Sequence, residues 1–108
     1  MTYIKIGETK FEATIQTRPN DITWGNRESK AITLEMTYAE ALETFVNDLQ
    51  WSMIAEYTDE NDEVQIVETD MSTYSLAGSI TDNRDGTMTV KMGRATVEEL
   101  LAILEEVL

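Results

Sequence analysis

The sequence has no cysteine and no histidine, and only one proline among its 108 residues. Without those first two side chains the usual zinc sites, a Ser-His-Asp triad, a cysteine nucleophile and a disulfide framework are excluded. The five glycines, Gly7, Gly25, Gly78, Gly86 and Gly93, never fall at GxGxxG spacing, and Gly7–Lys10 (GETK) lacks the upstream glycine of a phosphate-binding loop. Positive charge is scarce, with 8 Lys and Arg against 21 Asp and Glu, for a formal net charge of −13. The N-terminal stretch turns polar by Gly7–Lys10, so no apolar run of signal-peptide or membrane-spanning length starts the chain, and a cytoplasmic protein is expected.

What is present suffices for one folded domain over residues 1–108. Apolar residues make up 42% of the chain, more than disordered acidic tails carry. The charge is uneven: residues 31–83 hold twelve acids and no base. Such a field repels nucleic acid and anionic membrane and draws in basic partners.

Alternating apolar residues predict most elements as strands. Thr2, Ile4 and Ile6, then Phe11, Ala13 and Ile15, flank the turn residues 7–10 as a hairpin whose second strand should stop near Arg18-Pro19, because proline removes a ladder donor. Ile32, Leu34 and Met36 point inward on a third strand. Trp51, Met53, Ala55 and Tyr57 share one side of a fourth, the polar run 58–63 forms a hairpin tip, and a strand follows around 64–67. Tyr74, Leu76, Gly78 and Ile80 are in phase on the next, and Asp85-Gly86 marks a tight hairpin returning through Met88, Val90 and Met92.

Two capping boxes predict helices at about 38–48 and 97–107. Thr37–Glu40 opens the first, with Tyr38, Ala41, Leu42, Phe45, Val46 and Leu49 at helical spacing, and Thr96–Glu99 opens the second, an apolar stripe through Leu100, Leu101, Leu104 and Val107. The expected class is α+β, with an antiparallel, curled or barrel-like sheet of about six or seven strands and two helices. No repeat or linker composition argues for a second domain.

Two surfaces qualify for recognition. The loop with Trp24, Asn26 and Arg27 carries residue types enriched at binding hot spots, although a loop tryptophan also commonly folds back over a core. The acidic surface of Glu56, Asp59, Glu60, Asp62 and Glu63, continuing to Glu68 and Asp70, could imitate DNA phosphates to a basic groove. Asp59, Asn61 and Glu63 are spaced like the start of a calcium loop, but Val64 and Asp70 stand where that loop requires glycine and glutamate. Among 21 carboxylates some pair falls within reach by chance, so paired acids do not argue for hydrolysis, and no cofactor or metal is expected.

The stretches YIKIG near the start, Trp24–Leu34, MTYAEALETFV (36–46) and SLAGSITDNRDGTMTVKMG (75–93) resemble a group of small acidic proteins encoded in bacteriophages and prophages among genes for tail and virion components. The resemblance implies a non-enzymatic accessory or structural module of tail or virion assembly, incorporated into a phage particle, and transfers no functional residue. The implied partner is a phage structural protein. Exposed strand edges and an apolar terminal helix also favour a homo-oligomer. The alternative is an acidic DNA mimic inhibiting a host nucleic-acid-binding protein.

Overall fold

The computed structural model describes residues 1–96 together with Glu99 and Leu101. Seven strands form one antiparallel sheet: β1 (Thr2–Ile6), β2 (Thr9–Asp21), β3 (Arg27–Glu35), β4 (Ser52–Thr58), β5 (Val64–Asp70), β6 (Leu76–Asp82) and β7 (Thr87–Gly93), in the order β5-β4-β1-β2-β3-β7-β6. The sheet is open, bounded by β5 and β6, so the barrel-like alternative does not hold.

The 13-residue β2 joins two half-sheets. Residues 9–12 pair with β1 and residues 13–21 pair with β3, and a cleft of about 690 Å³ opens where the partners change, beside Lys10, Glu12, Thr33 and Glu35. Contrary to expectation β2 does not stop at Pro19. The register shifts between Arg18 and Asp21, and this irregularity accommodates a residue that has no N–H to donate.

Directly opposed residues share a face, so the registers define two surfaces. The core face carries Ile4, Ala13, Ile32, Leu34, Met88, Val90 and Met92, all buried. Met36, Trp51 and Met71 complete this core with Ala41 and Phe45. The opposite face is polar. Thr14, Thr33, Thr89 and Thr81 form a row across four strands, with a 2.9 Å hydroxyl contact between Thr33 and Thr89.

The helix α1 spans Tyr38–Thr44, shorter than the expected 38–48. Its capping box forms as predicted: the Thr37 hydroxyl accepts from Glu40 N–H at 3.1 Å, and the Glu40 carboxylate accepts from Thr37 N–H at 3.2 Å. Phe45 then leaves the helical conformation, with φ −97° and ψ 94°. Ala77 N–H donates to Asn47 Oδ1 and Asp48 N–H to Ser75 O, tying the next residues to the start of β6. These ties end the helix before Val46, which is 45% exposed, and within α1 Leu42 is 52% exposed, so the expected apolar stripe is only partly buried.

The second helix, expected at about 97–107, is not borne out: only Glu99 and Leu101 of that stretch are described, and the remainder lies outside the described residues. The reciprocal capping bonds between Thr96 and Glu99 are present, at 3.0 and 3.2 Å. β6 also departs from its expected phase. A register shift between Ala77 and Ile80 places those two residues against the core, so Leu76, Gly78 and Ile80 do not share one continuous face.

Candidate functional site

The Trp24 loop is a tight turn folded onto the polar face. Asp21 caps a 3-10 turn at Ile22–Trp24 by accepting from Thr23 N–H, and Gly25 and Asn26 then take left-handed conformations, φ 61° and 60°, that return the chain into β3. The Trp24 ring packs on Gly78 of β6 and Gly93 of β7. A Cβ on either glycine would come within 2.8 Å of ring carbons, so their lack of side chains makes the seat.

Arg27 stacks over this ring at 5.1 Å. Its Nη1 donates to Arg94 O (2.7 Å) and Glu99 Oε1 (2.6 Å), and its Nη2 to Glu99 Oε2 (3.1 Å). Its Nε is buried and has no acceptor among the described residues. Hydrogen bonding from Arg27, then from the Thr96 backbone, brings the Glu99 carboxyl down to about 2. The residues expected as a recognition trio therefore divide. Trp24 and Arg27 turn inward, onto the sheet and towards Arg94 and Glu99, and Asn26 is exposed.

Two polar networks flank the turn. Asp21, 5% exposed, accepts from Lys91 Nζ at 2.7 Å and from the Thr23 hydroxyl at 2.6 Å, with Ser29 Oγ at 3.5 Å. The Lys91 hydrogen bond, then that of Thr23, lowers its pKa to about 2. On the other side Glu28 accepts from the Tyr74 hydroxyl at 2.9 Å and from Arg94 Nη1 at 3.1 Å, bonds that in that order hold its carboxyl below the usual range. A groove of about 630 Å³ runs along Asn26, Arg27, Glu28, Thr73 and Arg94. Sequence reading missed both networks, because their charged and aromatic partners, Lys91 for Asp21 and Tyr74 and Arg94 for Glu28, are 46 to 70 residues away and carry no local signal.

The acidic surface maps to the β4–β5 hairpin, but its members differ. Asp59 is committed to the turn: Oδ1 accepts from Asn61 and Glu63 N–H at 2.9 and 3.0 Å, and Oδ2 from Gln65 Nε2 at 2.9 Å. These bonds, Glu63 N–H first, lower its pKa and occupy the oxygens that the calcium-like spacing would have offered. Among the described residues no group of three acidic side chains could hold a metal ion. Glu56 lies 3.8 Å from Lys10, and Glu68 lies 3.8 Å from Lys5 and accepts from Ser52. No Lys or Arg among the described residues is within 4 Å of Glu60, Asp62, Glu63 or Asp70.

Beside these carboxylates lies an apolar surface that composition alone did not reveal. Tyr57 of β4 and Val64, Ile66 and Val67 of β5 are 54%, 67%, 62% and 46% exposed. Val64 and Ile66 share the polar face of the sheet with Glu68 and Asp70, whereas Val67 points to the opposite side.

No protein-family model matches the chain, and no curated protein or solved structure matches it either. Among the described residues no helix is long and apolar enough to cross a membrane.

Proposed function

We propose that this chain is a non-enzymatic protein-interaction module whose contact surface is the β4–β5 hairpin, and that its partner is a structural protein of phage tail or virion assembly. The carrying observation is that exposed Val64 and Ile66 of β5 lie between Glu63 and Asp70, which have no Lys or Arg within 4 Å among the described residues. Apolar residues rimmed by charge of one sign are the composition of a recognition surface, the former supplying burial and the latter encounter rate and partner choice. The Trp24 loop has a weaker claim, because the Arg27 guanidinium is already engaged by Glu99 and Arg94. The phage assignment rests on the resemblance of YIKIG near the start and of residues 24–34, 36–46 and 75–93 to small acidic phage proteins.

The free carboxylates at Glu60, Asp62, Glu63 and Asp70 favour a second reading, electrostatic competition with nucleic acid for a basic protein. A pull-down from lysate of a phage-producing host, washed at low and at about 0.5 M salt, separates the two. Virion proteins retained through the high-salt wash support assembly, and a DNA-binding protein released by it supports competition. A partner held equally by wild type and by a Glu60→Gln, Asp62→Asn, Glu63→Gln variant overturns both. Asp59 stays unchanged in that variant because it builds the turn.

A further inference from the structure

β5 ends the sheet, and the ladder fixes which of its backbone groups face outward. Met71 N–H donates to Trp51 O at 2.9 Å and Asp59 N–H to Glu63 O at 2.9 Å, so with the register Ser52↔Asp70 through Thr58↔Val64 the odd-numbered residues 65, 67 and 69 exchange bonds with β4. The N–H and C=O groups of Val64, Ile66, Glu68 and Asp70 then point away from the sheet and have no strand partner among the described residues. The side chains of those four residues lie on one face, two apolar followed by two acidic.

We propose that this edge accepts an extended segment of a partner protein as an additional strand, the segment carrying Lys or Arg opposite Glu68 and Asp70 and apolar side chains opposite Ile66 and Val64. The inference rests on the interaction reading above and adds its mode and the partner's chemistry. Main-chain bonds supply register and alternate side chains supply specificity, as in strand addition generally. Charge selects the occupant. A second copy of the chain brings another −13 and another set of β5 carboxylates, whereas a basic strand meets Asp70, which has no Lys or Arg within 4 Å among the described residues, and the half-exposed Glu68, shared with Lys5, with opposite charge.

The test uses the full chain and fluorescein-labelled peptides KTRTITV and VTITRTK, which present the pattern in antiparallel and parallel sense, with ETETITV as the acidic control. One basic peptide is expected to bind in a salt-weakened manner, and the acidic one not to bind. Ile66→Pro removes an outward N–H without a β4 bond and should weaken binding about tenfold while the unfolding midpoint holds. If that variant does not fold, Glu68→Lys on a half-exposed side chain serves instead, and should shift preference towards the acidic peptide.

Equal affinity of wild type and Ile66→Pro, or no binding of either basic peptide, overturns the proposal. So does a wild-type dimer that Ile66→Pro dissociates, which would make a second copy the occupant. If the peptides fail but a lysate partner is still lost on neutralising Glu60, Asp62 and Glu63, strand addition falls and the interaction reading survives.

Discussion

Replacing Gly78 with alanine tests how Trp24 is held. The new Cβ would lie 2.7 and 2.8 Å from Trp24 Cη2 and Cζ3, and 3.1 Å from Lys91 O. Carbon atoms pack at about 3.5–4.0 Å, so the indole must retreat by roughly 1 Å, which lifts it from Gly93 and from under the Arg27 guanidinium. Overpacking of this kind costs about 1–3 kcal/mol. For a domain of about this size each kcal/mol lowers Tm by about 4–8 °C.

The decisive comparison places Gly78→Ala in a Trp24→Ala background. Only the Lys91 O contact is then tight, and the gain of about 0.5–1 kcal/mol for alanine over glycine in a strand offsets it, so the second substitution should be nearly neutral. Urea unfolding of the four proteins should give a coupling energy of about 1–3 kcal/mol. An equal cost of Gly78→Ala with and without Trp24 would refute the packing argument.

Three further outcomes follow from separate parts of the molecule. Thr37→Ala removes the cap of α1 and should cost about 1 kcal/mol in urea unfolding. Trp51→Phe keeps most of a side chain that is 3% exposed but leaves the Tyr74 carbonyl without its 3.0 Å bond from Nε1, a loss of about 1–3 kcal/mol by the same assay. Asp21 titrates at about 2 in the fold against an ordinary 3.8, so its contribution is present above 3.8 and is lost as pH falls towards 2. The stability difference between wild type and Asp21→Asn should therefore shrink over that window, and a difference constant from pH 5 to pH 2 would contradict the Lys91 pairing.

The elements readable from sequence are those written in neighbouring residues. The inward positions Ile32, Leu34 and Met36, the Thr37–Glu40 box, the core role of Trp51 and the hairpin through Asp85-Gly86 all depend on spacings of a few residues, and the structure has each of them. What escaped depends on distant partners. The end of α1 is set by Asn47 and Asp48 bonding to Ala77 and Ser75, and the continuation of β2 through Pro19 by pairing with β3. A fold-back of Trp24 was one of the two readings its loop offered, but its seat on Gly78 and Gly93 and the Arg27 pairing with Glu99 were not legible, the nearest of these residues standing 51 from Arg27. The acidic surface was legible as charge. The adjoining edge was not, because the exposure of Val64 and Ile66 follows from strand order.

Backbone amide shift mapping of the isotopically labelled chain, titrated with KTRTITV and VTITRTK, tests the role of β5 most directly. The largest shifts should fall within Val64–Asp70, strongest at the outward amides of Ile66 and Glu68. Shifts centred on Trp24–Arg27, or no shifts with either peptide, would contradict that role.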